Sequence, residues 1–166
     1  MKNVSTVAAL LISVLLIFGT AMSQPEKGAV GISVLIQNPQ LDFVLPVWIA
    51  DRFVATPLIG FSSISNQWND YAFGLGVRGY VRKEKLSSYL SVRFAVLIYA
   101  PKSGSSATDI LFGPAFGAEY YFDEHFSVGE ELQLNVAQSD SKSNRFGNPG
   151  GTNINTATAV TASFYF

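Results

Sequence analysis

The sequence contains no cysteine, which excludes disulfides, thiolate metal sites and a lipid-modified cysteine behind an export signal. It has one histidine, His125, so a cluster of imidazole ligands is excluded as well. Charge is scarce: Asp, Glu, Lys and Arg make up 14% of the chain, against about 25% in ordinary soluble domains. The formal net charge is −1. Such a balance points neither to nucleic acid nor to an acidic lipid surface. Beyond residue 23 no apolar run approaches the length of a membrane-crossing helix, which is roughly 20 residues. Yet 48% of the residues are hydrophobic, with 13 Phe and 14 Gly. An apolar, charge-poor chain without a spanning helix leaves the closed barrel of strands as the other way to cross a bilayer.

The one long apolar run stands at the start. Met1-Lys2-Asn3 is a short, positively charged lead-in to Val7–Phe18. That run is too short to cross a bilayer comfortably, but it suits the centre of a cleaved secretory signal. Small residues Ala21 and Ser23 flank Met22, which places cleavage before Gln24. The expected division is a signal peptide at 1–23 and one exported domain at 24–166. Losing the signal removes one lysine and no acid, so formal charge becomes −2 (10 basic against 12 acidic).

The exported part alternates with period two, the mark of strands with one apolar face and one small or polar face. Eight such segments are expected: Ala29–Gln37, Asp42–Ile49, Phe53–Ser63, Tyr71–Tyr80, Leu90–Ile98, Phe112–Phe122, Val128–Val136 and Thr156–Phe166. The fourth is the cleanest, with Tyr71, Phe73, Leu75 and Val77 opposite Ala72, Gly74, Gly76, Arg78 and Tyr80. Turns are expected at Asn38-Pro39-Gln40, Ala50-Asp51-Arg52, Arg82-Lys83-Glu84-Lys85 and Asp123-Glu124-His125. Loops are expected around Asn66, Gln67 and Asn69, at Pro101–Thr108 and at Ser139–Asn153. The turns near Asp51, Glu84 and Glu124 are short, while the three loops that intervene among the later strands are longer and polar, the asymmetry of membrane barrels. Aromatic residues near strand ends (Trp48, Phe53, Tyr120, Phe122, Phe126, Phe164 and Phe166) suit interfacial girdles.

Two departures stand out. Pro57 and Pro114 fall inside expected strands and each deletes a ladder donor. Glu130 falls on the apolar face if the phase of its strand holds. Bulges near the strand ends are expected to reconcile all three.

The strand count, the glycine-rich inner face, the segments FVATPLIGFSS and FSVGEELQLNV after tight turns, and the terminal FYF carry a resemblance. The exported part resembles the small eight-stranded outer-membrane barrels: the transmembrane domain of outer membrane protein A, its short relatives and the opacity proteins. The resemblance implies an all-β fold, an eight-stranded antiparallel up-and-down transmembrane barrel. It also implies a monomer in outer-membrane lipid, delivered by the barrel-assembly machinery. Val160, Ala162, Phe164 and Phe166, on one face of the last strand, look like the signal that machinery reads.

Enzymatic readings find little support. His125 stands in a tight turn, whereas an outer-membrane lipid A deacylase sets His and Ser side by side on a late strand. The expected function is therefore non-enzymatic: membrane integrity, surface interaction or a narrow gated solute path, with no cofactor, metal or nucleic acid. The alternatives are a soluble periplasmic barrel for a small apolar ligand, and an adhesin acting through its loops. The inner face carries one chemical cluster. Arg78, Arg93, Glu119 and Glu131 all share the glycine-rich phase, and a barrel of eight strands is just wide enough for side chains to fill it. They are expected to pair as a lumen charge cluster, since an unpaired charge there costs several kcal/mol.

Overall fold

The computed structural model describes residues 24–37 and 40–166. The expected signal peptide and its cleavage site lie outside the described residues, as do Asn38 and Pro39 of the first expected turn. All the regular structure is β: β1 (Gly31–Gln37), β2 (Gln40–Val44), β3 (Val47–Ala50), β4 (Phe53–Ile64), β5 (Trp68–Tyr80), β6 (Leu86–Pro101), β7 (Ala107–Tyr121), β8 (Phe126–Gln138) and β9 (Thr152–Tyr165). Every pairing is antiparallel, and β9 returns to β1. The segments β2 and β3 occupy one position in the wall. Both pair with β4 in a single register, Val44 opposite Leu58 and Val47 opposite Ala55. The fold is therefore a closed, eight-stranded, up-and-down antiparallel barrel.

Prolines explain the gap between β2 and β3. Leu45 N–H donates to the Pro57 carbonyl at 2.9 Å, but Pro57 has no N–H to return the bond. On the other side Gly31 N–H donates to the Pro46 carbonyl at 2.8 Å, and Pro46 cannot reply either. The ladder opens for two residues and closes again without slipping. Pro114 behaves likewise: β7 and β8 pair at Phe112–Val136, skip, and resume at Ala115–Gln133 in the same register. The expected bulges at the prolines are thus replaced by in-register gaps. Glu130 keeps its phase too, lying between Ala118 and Val160 on the outer wall. The register shift in this part of the wall falls instead between Trp48 and Ala50.

Strands run further than their apolar alternation suggested. Gln40 and Asn69, expected in a turn and a loop, belong to β2 and β5, and β7 takes in Ala107 and Thr108. Polar alternation continues the ladder beyond the apolar band. The turns at 51–52, 81–85 and 122–125 share one end of the barrel, and the connection at 65–67 and the loops at 102–106 and 139–151 share the other, where the longest one lies.

The polarity of the barrel is inverted relative to a soluble protein. Thirty large apolar side chains among the described residues are exposed, nearly all of them on the outer face, including Ile32, Phe73, Phe94, Phe112 and Phe164. The interior holds Ser, Thr, Asn, Gln, Asp, Glu and Arg beside four tyrosines. On β6 the outward apolar positions extend from Leu86 to Ile98. At ~3.3 Å per residue and a tilt of ~40°, they span roughly 30 Å along the barrel axis.

Candidate functional site

The tight-turn half of the lumen is packed solid. Trp48, Val54, Tyr80, Tyr89, Tyr121 and Tyr165 form one buried cluster, with Trp48 stacked on Tyr80 at 5.1 Å between ring centroids. Glycine makes the room. A β-carbon at Gly117 would lie 2.2 Å from the Tyr89 ring, so no larger residue fits there without moving that tyrosine.

The four charged residues divide into three and one. Arg78 sits between the two carboxylates, 3.8 Å from Glu119 and 3.9 Å from Glu131, and its guanidinium lies 4.7 Å from the centre of the Tyr89 ring. All three are nearly inaccessible to solvent. Hydroxyls satisfy the carboxylates. Glu119 accepts from Tyr80, from Ser127 and, at 3.1 Å, from Tyr165. Glu131 accepts from Tyr89 at 3.1 Å, Ser91 at 3.4 Å and Gln133 at 2.9 Å. Tyr121 extends the network by donating to Tyr80 at 3.2 Å. Several donors satisfy each buried carboxylate, and a guanidinium placed between the two has its charge compensated.

Arg93 is not part of this triad. It lies two residues further toward the long-loop end, opposite Gly76, whereas Arg78 is opposite Ser91. It donates to the Asn135 side chain. Between the two arginines is a void of about 20 Å³ bordered by Thr56, Ser91 and Glu131, room for about one water.

The long-loop half is built differently. The segment between β8 and β9 folds inward over the mouth. Asp109 accepts from Asp140 N–H at 2.9 Å, Ser143 at 2.7 Å and Arg145 Nε at 3.1 Å. Arg145 also grips Asp70 on β5. Burial alone would lower the Arg145 pKa; its hydrogen bond to Asp70 and the charges of Asp70 and Asp109 outweigh that and raise it. Phe146, next in sequence, packs against Ala72, Ala95 and Leu97 on the inner wall. Below this lid lies a cavity of about 520 Å³.

The outer positions Val160, Ala162, Phe164 and Phe166 lie on one face, with Phe166 69% exposed and Tyr165, on the inner phase, 1% exposed. His125 is in an exposed turn: its ring Nδ1–H donates to the Tyr165 carbonyl at 3.1 Å, and its backbone N–H donates to the Asp123 carboxylate. No nucleophile is among its hydrogen-bond partners. Tyr80, Tyr121 and Tyr165 fall on the inner phase of the sequence pattern without a role there, and Tyr89 lies just before the expected segment Leu90–Ile98. Asp70, Asp109 and Arg145 were hidden in segments read wholly or partly as loop.

No family model and no curated protein matches the chain. Among solved structures it is similar to the N-terminal β-barrel domain of Pseudomonas aeruginosa OprF, with a TM-score of 0.55 at 15% identity. The match covers 89% of this chain and 100% of that one. At that identity the likeness concerns the fold.

Proposed function

We propose that this chain is an integral outer-membrane β-barrel that acts without catalysis, as a sealed wall element rather than an open pore. One observation carries the reading: the barrel wears its apolar residues outside and its charges inside. A soluble periplasmic barrel for an apolar ligand would need the reverse. The outward band has the height of a hydrocarbon layer, about 30 Å, and aromatic pairs such as Tyr120–Phe122 and Phe164–Phe166 stand at its tight-turn rim.

The lumen supports sealing. A path along the axis must pass the buried Arg78–Glu119–Glu131 triad and the five buried aromatic rings of Trp48, Tyr80, Tyr89, Tyr121 and Tyr165. A narrow conducting state requires Arg78 to leave both carboxylates. The loop at 139–151 turns Ser143, Arg145 and Phe146 into the mouth and leaves Lys142, Asn144 and Asn148 exposed, so an adhesin reading would rest on that outer side alone. Export through a signal ending at Ser23 and delivery by the barrel-assembly machinery belong to the same proposal.

The test is direct. Expressed with its signal, the protein is expected in the outer-membrane fraction with Gln24 as first residue, soluble only in detergent, and shifted in gel mobility by boiling. In planar bilayers it is expected to be silent. A mature form that stays in buffer refutes the membrane reading; steady conductance refutes the seal.

A further inference from the structure

The cavity under the lid has the features of a ligand site. At about 520 Å³ it lies within the range of small-molecule pockets, roughly 300–1,000 Å³. Its walls are largely apolar, with Leu97, Leu111, Phe146 and Ala157 among them, while Arg93 and Asn135 stand at its inner end. A largely apolar chamber with a few fixed polar groups orients a small ligand by its polar head.

The head group follows from the charges. Arg145, at the mouth, is spent on two aspartates. Arg78 is spent on two glutamates. Arg93 takes part in no ion pair among the described residues; Glu131 and Asp42 attract it only from beyond contact. Its one hydrogen bond goes to a neutral amide, and its buried Nε has no partner. Asn135 has already given its amide to Asn155 at 3.3 Å. Arg93 is therefore the cation facing the chamber that is not held in an ion pair, and its guanidinium fork matches a planar carboxylate.

We propose that the long-loop half of the lumen binds a small aromatic or short acyl carboxylate, its carboxylate on Arg93 and its apolar body under Phe146. The site needs no opening of the plug, because the triad closes the lumen below it. It stands independently of the membrane location.

Calorimetry on the full chain in detergent, with protein-free micelles subtracted, tests this using 2-naphthoate and its neutral analogue 2-naphthamide. The expected result is one saturable site that prefers the carboxylate at least tenfold. Arg93→Gln should erase that preference, leaving the two probes alike. Ala157→Phe, which fills the chamber wall and keeps Arg93, should weaken both probes at least tenfold. Should Arg93→Gln lose its heat-modifiable band, the probe contrast and Ala157→Phe decide. Absence of saturable binding, equal affinity for the two probes, or undiminished binding by Ala157→Phe overturns the proposal.

Discussion

Removing Glu119 should separate the lumen arginines into a partner and a bystander. The carboxylate is fully buried and takes three hydroxyl donors, from Tyr80, Ser127 and Tyr165, besides facing Arg78 at 3.8 Å. Glu119→Ala strands those hydroxyls, each at about 1 kcal/mol. Arg78 keeps Glu131 at 3.9 Å, so its charge is weakened in compensation rather than abandoned. The sum is a loss of about 3–5 kcal/mol, the range for breaking a buried pair. Adding Arg78→Ala should recover part of that loss, with a coupling of about 1–3 kcal/mol. Adding Arg93→Ala should recover nothing beyond about 0.5 kcal/mol, because distant sites add.

The assay is reversible urea unfolding of the barrel in lipid bilayers. The folded fraction is read both from the heat-modifiable gel band and from tryptophan fluorescence. Glu119→Gln serves as the control: it keeps an acceptor oxygen and the volume, and should cost less than the alanine variant. Additivity between Glu119→Ala and Arg78→Ala would refute the triad. Coupling of Glu119 to Arg93 of similar size would refute the separation of the two arginines. A loss below about 1 kcal/mol for the single mutant would mean that water reaches the pair.

Glu130 is the charged residue on the outer wall away from both rims, so Glu130→Leu should raise bilayer stability by up to about 2 kcal/mol in the same titration; no change would place it outside the hydrocarbon. Phe166→Lys should reduce insertion into the outer membrane, measured as the fraction that becomes heat-modifiable, whereas Tyr165→Phe should insert normally and lose about 1 kcal/mol by giving up its bond to Glu119. Gly117→Ala should destabilise by about 1–3 kcal/mol through its clash with Tyr89, and a neutral result would mean that this ring has space to move. Asp140 has its pKa lowered by hydrogen bonds from the backbone N–H of Lys142 and Thr108. A depressed folded value means its support for the lid is complete above about pH 4, the ordinary aspartate value, and is lost as pH falls through the folded one. The Lys142 amide resonance should follow that transition in NMR, and a transition at or above the ordinary value would contradict the lid geometry.

The fold was legible because its two faces obey different rules. Outward positions had only to be apolar, and inward positions had to be small, polar or aromatic with a hydroxyl, so period two separated Phe73 from Ala72 and Phe164 from Tyr165. What alternation cannot give is height along the axis. Arg78 and Arg93 share a phase on neighbouring strands, yet the register sets Arg78 beside Ser91 and Arg93 beside Gly76. Those two residues of offset, about 7 Å, decide which arginine meets Glu119. The strand ends were lost for a related reason. Beyond the apolar band, Asn69, Asp70 and Asp109 alternate in a polar ladder that reads like a loop, and that is where Arg145 anchors the lid.

The prolines show how a closed barrel tolerates what a central strand ordinarily forbids. A missing donor in a flat sheet leaves an acceptor without a partner and invites a slip. A slip here would turn every lumen side chain of the strand outward, exchanging Val54 and Thr56 for Phe53 and Ala55. It would also have to be matched by the other strands before the ring could close. Pro46 and Pro57 instead flank Leu45, so two vacancies fall at one point of the wall and share one local opening between Val44 and Val47. The register on both sides of the gap remains that of a continuous strand. Closure therefore supplies the restraint that a bulge would otherwise have provided, and it keeps Trp48 beneath Tyr80 and Arg78 between its carboxylates.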